Sequence, residues 1–428
     1  MQTIKFYTLG CKVNQYDTQS IREQFISLGF KELASDERAD VYVVNTCTVT
    51  HKADSESLRH IRKAKKENPH ARIIVTGCLT ELDSEKIKEE GIVDLNVKNK
   101  DKGRIAKLFY SMSEKDKEIE RDSKNSYIGI SNFYGHTRAF LKIQEGCNNF
   151  CSYCKVPLVR GSSKSKPLDN IIKEAEKLAG AGFKEIVLIG ICLGAYGQEL
   201  KEKNGILRVI EALENIRGLL RIRLSSIEAG DVSDGLIKKI AESKKLCPHL
   251  HIPIQSGDDT ILKKMHRNYT SNDYLNLIKK IKNRIPGIAI TTDCLVGFPG
   301  ETDENFKNTA DLIRKIVPLR VHIFPYSKRE GTPAANLGAD LPSVIIKERA
   351  KQLKEAADKC SGEYRNKFLN TVMGVLIEGE SKAAPGFLEG RTDNYLRVIL
   401  KSGLNLKNKL IPVKLKKIET DWFLAQLT

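Results

Sequence analysis

The sequence predicts a three-domain α/β protein: a parallel-sheet domain, then a partial (β/α)6 barrel, then a small β-barrel. Three observations carry this prediction. Strand-like runs alternate with helical patterns in the first hundred residues, six further βα units begin near residue 133, and the tail contains only short alternating runs. A chain of 428 residues also exceeds the size at which one hydrophobic core keeps growing. We expect the domains to span residues 1–125, 133–368 and 369–428.

The first domain has the alternating strand–helix pattern of βαβ units. The apolar runs IKFYTL, VYVVNT and RIIVTG are separated by helical patterns near residues 15–28 and 54–66, which predicts a parallel sheet. A cysteine directly follows each run, at Cys11, Cys47 and Cys78. Because the carboxyl ends of parallel strands share one edge, we expect these three thiols to converge. The polar stretch from about residue 98 to 125 is predicted to be a linker or a peripheral helix.

The second domain contains six apolar, β-type runs separated by helical segments. They read AFLKIQE, EIVLIGI, LRIRLSSI, HLHIPIQS, IAITTDCLVGF and LRVHIFPYS. Six βα units suggest an open or partial barrel with its active site at the carboxyl ends of the strands. A long helix is expected over residues 343–368.

The tail changes character, with the runs TVMGVLIE, YLRVIL and LIPVKLKKI separated by Gly and Asn. This pattern predicts a small β-barrel domain. From Lys367 onward the tail has ten Lys and Arg against six acidic residues. The excess suits contact with phosphates, and it also suits a solvated β surface.

Composition narrows the function classes. The formal charge of +17, from 71 Lys and Arg against 54 Asp and Glu, favours a polyanionic partner, although solvated lysine faces give the same excess. Neither a secretory leader nor a run of about 18 apolar residues is seen, so we expect a soluble cytoplasmic protein. In such a compartment the ten cysteines indicate metal binding or catalysis rather than disulfides. GFPGET lacks the ending of a phosphate-binding P-loop, so ATP binding is not expected.

The segment EGCNNFCSYCKVPLVRG places Cys147, Cys151 and Cys154 in a C-x3-C-x2-C pattern after the first predicted barrel strand. Thiolates are soft ligands that suit iron–sulfur clusters. Three of them leave the fourth iron of a cubane open to another ligand. The alternative is a zinc knuckle completed by a distant His or Cys, which leaves the barrel and the other three thiols unexplained.

This motif, with Tyr153 before the third cysteine, resembles the radical S-adenosylmethionine (SAM) superfamily. Further segments extend the resemblance to its methylthiotransferase branch over the whole chain: GCKVNQYDT, NTCTVT, TGCLTE, LSSIE, HLHIPIQSGDD and GFPGET. The resemblance implies two [4Fe–4S] clusters. One would be held by the C-x3-C-x2-C cysteines and chelate SAM, and the other by Cys11, Cys47 and Cys78 and carry the sulfur to be transferred.

In that family the chemistry consumes two SAM molecules. One donates a methyl group to the sulfur at the auxiliary cluster. The other is cleaved to a 5′-deoxyadenosyl radical, which abstracts hydrogen from an unreactive C–H bond, and the methylated sulfur then joins that carbon. The resemblance also implies an electron donor, such as flavodoxin or ferredoxin, and a sulfur donor as partners.

The form GCKVNQYDT resembles the subgroup that acts on N6-threonylcarbamoyladenosine at position 37 of tRNA. LEGRTDNYLRV is similar to the GxTxNYxxV stretch of that subgroup's RNA-binding TRAM domain. The implied product is the 2-methylthio derivative. Two related branches remain as alternatives, acting on isopentenyladenosine-37 in tRNA or on an aspartate of a ribosomal protein. An alternative from another class is a non-enzymatic RNA-binding protein whose cysteines hold structural metal.

Other side chains are candidates for SAM contact because they lie near the cluster loop or at predicted strand ends. The candidates are Tyr153, Arg160, Gly190, Glu228, Gln255 and Ser256. Each has a plain alternative: a glycine can simply end a strand, Glu228 can be a solvated carboxylate, and Arg160 can form a salt bridge.

The sequence departs from the family pattern near the cluster loop. Lys155 stands where an apolar residue is usual, and SSKSKP lacks the arginines often found there. The other cysteines lack ligand-like spacing and are expected to be core residues: Cys192, Cys247, Cys294 and Cys360. Among them Cys192 ends a barrel strand where the family typically has asparagine, so it is the one expected to face the cavity.

Overall fold

The computed structural model describes residues 1–34, 37–112, 129–202, 204–338 and 340–428. Within this part of the chain no helix combines the length and apolar character needed to cross a bilayer.

The amino-terminal domain is a five-stranded, fully parallel sheet with strand order β2-β1-β3-β4-β5. The strands are β1 (Thr3–Thr8), β2 (Lys31–Glu32), β3 (Val41–Thr46), β4 (Arg72–Gly77) and β5 (Leu95–Val97). The helices are α1 (Lys12–Ser27), α2 (His51–Glu67), α3 (Leu79–Leu82), α4 (Ser84–Glu89) and α5 (Ile105–Ser111). All six residues of the central strand β3 are buried, as expected for a strand covered on both faces.

The two helices predicted in this domain are present, and each begins three residues earlier than expected. Of the predicted linker, residues 99–104 form a 3-10 helix and residues 105–111 form α5. Ile105 and Phe109 are buried against the sheet, so this part is the peripheral helix rather than a free linker. Residues 113–128 lie outside the described part of the chain, and the domain boundaries remain predictions.

The second domain is an open barrel of six parallel strands. Two three-stranded sheets, β10-β9-β6 and β11-β12-β13, are joined by isolated parallel bridges, including Ser226 with His251. The strands are β6 (Arg138–Lys142), β9 (Glu185–Ile189), β10 (Arg221–Leu224), β11 (His249–His251), β12 (Ala289–Val296) and β13 (Arg320–Pro325), with a small antiparallel pair β7 (Gln144–Glu145) and β8 (Lys164–Ser165). All six predicted strands are confirmed.

Helices cover the outside of this barrel. They are α6 (Val156–Arg160), α7 (Leu168–Gly180), α8 (Gly205–Glu214), α9 (Asp234–Glu242), α10 (Asp259–Lys264), α11 (Ser271–Arg284), α12 (Asp303–Ile316) and α13 (Ser343–Asn366). Two of them begin with a capping box, in which the threonine at the cap and the side chain three residues later satisfy each other's backbone N–H groups; these caps are Thr270 for α11 and Thr302 for α12.

The tail forms a closed five-stranded barrel in the order β14-β15-β16-β18-β17, which confirms the predicted small β-barrel. Its strands are β14 (Val372–Glu380), β15 (Leu388–Thr392), β16 (Arg397–Leu400), β17 (Leu410–Ile418) and β18 (Phe423–Leu427). It sits against the amino-terminal ends of the large barrel's strands. Arg221 donates to the carbonyls of Arg391 (3.0 Å) and Gly374 (2.7 Å), and Arg223 donates to that of Asp393 (2.7 Å).

Two facing cysteine triads as a candidate active site

The auxiliary triad, Cys11, Cys47 and Cys78, forms at the carboxyl edge of the amino-terminal sheet. Cys11 precedes α1 and Cys78 precedes α3, while the backbone of Cys47 is bonded to the Ser57 hydroxyl on α2 (3.2 and 3.0 Å). A Cβ atom on Gly10 would lie 2.8 Å from the Cys47 sulfur, so this close approach, at a φ of +91°, requires glycine.

Asn14 fixes the loops of this triad to each other. Its amide donates to the carbonyls of Leu9 (2.7 Å) and Thr46 (2.9 Å), which precede the Cys11 and Cys47 loops. The Thr46 carbonyl also accepts the backbone N–H of Cys78 (3.1 Å). The three thiols therefore converge at one sheet edge despite their separation in sequence.

The core triad, Cys147, Cys151 and Cys154, lies in the loop between β7 and α6. Hydrogen bonds fix this loop to the barrel: Cys147 N–H donates to Gly161 (3.1 Å), and Ser152 N–H and hydroxyl donate to the carbonyls of Met265 (3.1 Å) and Lys264 (2.7 Å). The loop is thus held in place by protein contacts alone.

The donors around the core triad fit an iron–sulfur cluster. Backbone N–H groups donate to the sulfurs of Cys147 and Cys154 (both 3.4 Å), and the Arg267 guanidinium donates to that of Cys151 (3.2 Å). Hydrogen bonds of this kind stabilise thiolate sulfur and tune bound clusters. Burial raises the pKa of Cys154 to about 12, so a bound cation would be needed to keep that group deprotonated at neutral pH.

The same reasoning applies to the auxiliary triad. Burial, with a smaller contribution from the neighbouring Cys78 and Cys11, raises the pKa of Cys47 to about 11. Three soft thiols, crowded together with no fourth protein ligand needed, fit a cluster that keeps one iron open.

The two triads lie on adjoining elements. Helix α3, which begins after Cys78, packs against α6, which begins after Cys154. Asn99 donates from the amino-terminal domain to the Val159 carbonyl on α6 (2.9 Å). On the other side, Arg329 of the barrel donates to Thr48 (2.9 Å) and pairs with Asp54 (2.7 Å), next to the Cys47 loop. These contacts place the loops of the two triads on adjoining elements of the two domains.

Among the six candidates for SAM contact, Glu228 is linked to the core triad through an ion pair. Its carboxylate pairs with Arg267, the same arginine that contacts Cys151. Arg267 was missed by the sequence analysis, because nothing in its local sequence marks it and its partners are 39 and 116 residues away.

Tyr153 and Ser256 have internal packing partners. The Tyr153 ring meets Phe298 edge-on, with ring centroids 6.5 Å apart, inside a small apolar cluster. Ser256 is fully buried, and its hydroxyl lies 3.3 Å from that of Thr309. Both side chains support the walls of the site.

Gly190 and Gln255 lie at strand ends as expected. A Cβ atom on Gly190 would lie 2.9 Å from the Gln144 side-chain oxygen, so glycine permits a close approach to that side chain. Gln255 adopts a φ of +66°, and its N–H donates to Asp293 (2.9 Å) while its carbonyl accepts from Leu295 (2.8 Å). The strained backbone is thereby stabilised by the neighbouring strand β12.

Arg160 is taken up by ion pairs. Its guanidinium pairs with Asp17 (3.0 Å) and Glu145 (2.8 Å) and also contacts the Asn14 side chain. These contacts are those of the salt bridge that the sequence analysis gave as the alternative to SAM contact. Arg160 therefore connects the two domains, and Cys78 and Cys11 are among the groups that raise its pKa, after Glu145 and Asp17.

Cys192 is buried next to the core triad, and its orientation toward the cavity stays a prediction. Its sulfur lies 3.7 Å from the Asn149 amide and 3.7 Å from an Asp231 carboxylate oxygen. A hydrogen bond from Cys192 is the main cause that lowers the pKa of Cys147 to about 7. Lys155 is half-buried; burial and the nearby Arg329 lower its pKa.

Two known protein families match the first two domains of the chain separately. Residues 3–97 match Uncharacterized protein family UPF0004, and residues 141–313 match the radical SAM superfamily. The chain is 39% identical to the threonylcarbamoyladenosine tRNA methylthiotransferase of Bacillus subtilis, over 97% of this chain and 94% of that protein. The protein of that name from Thermotoga maritima is 36% identical, over 93% and 91% of the two chains.

A second group of relatives carries another name. The tRNA-2-methylthio-N(6)-dimethylallyladenosine synthase of Acetivibrio thermocellus is 35% identical, over 96% of this chain and 88% of that protein. Among solved structures, the radical SAM methyltransferase TsrM from Kitasatospora setae superposes with a TM-score of 0.55 at 15% identity, covering 78% of this chain and 77% of that one. This likeness concerns the fold. The near-complete coverage by relatives above 30% identity shows that the chain belongs to the radical SAM methylthiotransferase family.

Proposed function

We propose that this protein converts N6-threonylcarbamoyladenosine at position 37 of tRNA to its 2-methylthio derivative in the cytoplasm. The observation that carries the proposal is the pair of three-thiol sites on adjoining domains, each with the ligand number of an open-site cluster. Its similarity to relatives named for this substrate supports the choice of nucleoside. We assign the core cluster to Cys147, Cys151 and Cys154, and the auxiliary cluster to the triad of Cys11, Cys47 and Cys78.

When bound, the clusters and two SAM molecules supply the radical and the methylated sulfur. The chain's own residues position these groups. Arg267 and Glu228 form a charged pair beside the core triad, and we assign them to hold the carboxylate and amino groups of SAM. Cys47 and Cys78 are buried, whereas Cys11 and the loop from Cys147 to Phe150 remain accessible to SAM and substrate. An electron donor and a sulfur donor are needed as partners.

The proposal predicts a change in cellular tRNA. In cells lacking this protein, mass spectrometry of tRNA nucleosides will show 2-methylthio-N6-threonylcarbamoyladenosine only after the protein is expressed. Expression of a Cys151→Ala variant is the matched control and will leave the nucleoside unmodified. Appearance of 2-methylthio-isopentenyladenosine instead would assign the protein to the branch that acts on isopentenyladenosine-37. A colourless protein carrying zinc and no iron would support the non-enzymatic alternative.

Replacing Cys11, Cys47 and Cys78 together with alanine will separate the two halves of the chemistry. We expect this variant to keep about four of about eight irons and to keep reductive SAM cleavage, because the core loop is anchored by barrel contacts alone. Methylthio transfer will be lost. Iron content, 5′-deoxyadenosine and modified nucleoside are measured on the same anaerobic preparation. Loss of SAM cleavage in this variant, with the core cluster intact by its spectrum, would contradict the assignment.

A further inference from the structure

A basic cluster lies at the end of the barrel that the tail domain closes. The Tyr395 ring, from the turn between β15 and β16, has three guanidinium groups near its centroid: Arg223 at 4.9 Å, Arg391 at 5.0 Å and Arg138 at 5.7 Å. His249 stacks on the same ring, with centroids 4.6 Å apart. We call these three arginines, Tyr395 and Lys12 the basic floor.

Two of the arginines are fully engaged within the protein. Arg223 donates to Glu185 (2.7 Å) and to the Asp393 carbonyl (2.7 Å), and Arg138 pairs with Glu378 (2.8 Å). These contacts hold the floor in place. They also engage the carboxylates of Glu185 and Glu378.

Arg391 is the exception. Its Nε and Nη1 atoms are buried and have no hydrogen-bond partner among the described residues. The nearest carboxylates, Glu378 and Glu389, lie 3.8 and 3.9 Å away, beyond hydrogen-bond distance. These two carboxylates form long ion pairs with Arg391 but leave its buried Nε and Nη1 donors without a hydrogen bond. Because a buried donor without a hydrogen bond is costly, these two atoms point to an additional anionic acceptor.

Lys12 joins this cluster to the chemistry. It directly follows Cys11 of the auxiliary triad, and within the described part of the chain no carboxylate lies within ion-pair distance of its ammonium group. Desolvation by the surrounding protein lowers the pKa of Lys12, the nearby Arg138 and Arg223 also lower it, and Tyr395 and Asp293 oppose that change. The Lys12 side chain is solvent-exposed, so this ammonium is accessible to a ligand.

The potential at the floor is positive. Burial would raise the pKa of Tyr395, yet Arg138, Arg391 and Lys12 lower it to about 8. An uncharged, apolar substituent on the nucleoside would not be stabilised by this positive potential. A carboxylate would pair with the free donors of Arg391, whose forked geometry suits it, and with the Lys12 ammonium.

We propose that the basic floor is the site that recognises the carboxylate of the threonylcarbamoyl group, with Arg391 and Lys12 as the direct contacts. This inference rests on the proposed function and adds how the substrate is selected. The isopentenyl group of the alternative substrate has no charge, so the same site would leave the Arg391 Nε and Nη1 atoms without a hydrogen-bond acceptor. Arg391 and Lys12 are thus specificity residues rather than parts of the two cluster sites.

Binding of three anticodon stem-loops to the anaerobic, cluster-loaded protein tests this, by fluorescence anisotropy without SAM. One RNA carries threonylcarbamoyladenosine, the second its methyl ester, and the third plain adenosine. We expect the free acid to bind about tenfold or more tightly than the ester, because hydrogen bonds to charged groups contribute at least the equivalent of that factor. Omitting SAM ensures that its own carboxylate does not compete for the site.

The variants Lys12→Gln and Arg391→Gln will bring the acid-to-ester ratio close to one, whatever their effect on the affinity for the plain RNA. Lys12 is exposed, so its substitution tests the site without disturbing packing. The matched control is Lys416→Gln, an exposed lysine of β17, which will change the affinity for all three RNAs equally. Normal thermal unfolding of Arg391→Gln will show that its loss of ratio is local.

A ratio near one in the unmodified protein, or an unchanged ratio in both variants, would overturn the inference. These results are separable from failure of the proposed function. If the unmodified protein methylthiolates the threonylcarbamoyladenosine RNA without preferring the acid to the ester, only the inference is wrong. If it forms no product from that RNA while cleaving SAM normally, the proposed function and the inference both fail.

Discussion

Replacing Cys147, Cys151 and Cys154 together with alanine will abolish SAM cleavage completely and remove about four of about eight irons. The physical reason is that no other thiol is placed to substitute for three lost ligands. Cys192 is the nearest remaining cysteine, and it offers a single sulfur. The auxiliary triad stays, because its loops are fixed by Asn14 and Ser57 within the amino-terminal domain.

The measurement is 5′-deoxyadenosine formed under a chemical reductant, with iron content and the electron paramagnetic resonance spectrum of the reduced protein. A matched control removes three buried thiols that have no ligand spacing: Cys247, Cys294 and Cys360. This control will keep both clusters and SAM cleavage, although the lost packing will lower its stability. Persistence of cleavage in the triad variant would refute the assignment of the core cluster.

Much of the fold was predictable because its strands are continuous apolar runs. VYVVNT and EIVLIGI contain nearly continuous apolar runs, which are typical of parallel strands that are buried on both faces. The position of Cys47 directly after such a run was enough to place its thiol at the carboxyl edge. Element ends were less predictable: α1 begins at Lys12 rather than near Gln15, because the turn at Gly10 ends just before it.

The parts that the sequence did not reveal are contacts between distant segments. Arg267 reaches Cys151 across 116 positions, and Arg160 reaches Asp17 across 143. Tyr395 lies among arginines of a different domain. Local patterns carry no information about such pairs, because each side chain alone looks like an ordinary surface charge or a turn residue.

Substituting Asp17→Asn will lower the free energy of unfolding by about 3–5 kcal/mol, the usual cost of leaving buried charges without their partner. The Asp17 carboxylate accepts from Lys102 (2.9 Å), Lys142 (2.5 Å) and Arg160 (3.0 Å), and its side chain is only 4% exposed. Glu145 alone would remain to balance these three cations. Lys102 belongs to the amino-terminal domain and the other two cations to the barrel, so the variant also loosens the contact that aligns the two triads.

The pH dependence follows from the pKa of Asp17. Burial would raise it, but Lys102, Lys142 and Arg160 lower it well below its usual value. A carboxyl group with a depressed pKa in the folded state contributes stability above its unfolded pKa of about 3.9, and this stability is lost as pH falls toward the folded pKa. The difference between the unmodified protein and the variant will therefore be full at neutral pH and narrow below about pH 4.

Calorimetry of the anaerobic, cluster-loaded protein measures this effect, and we expect a drop in melting temperature of roughly 10 °C at pH 7. The matched control is Asp358→Asn, which removes an exposed ion pair with Lys354 one helical turn away and will change stability by less than about 0.5 kcal/mol. An equal, small effect of both substitutions would show that the Asp17 network does not hold the domains together. A large effect of Asp17→Asn alone, accompanied by reduced methylthio transfer with intact SAM cleavage, would show that this buried carboxylate sets the position of the auxiliary triad relative to the barrel.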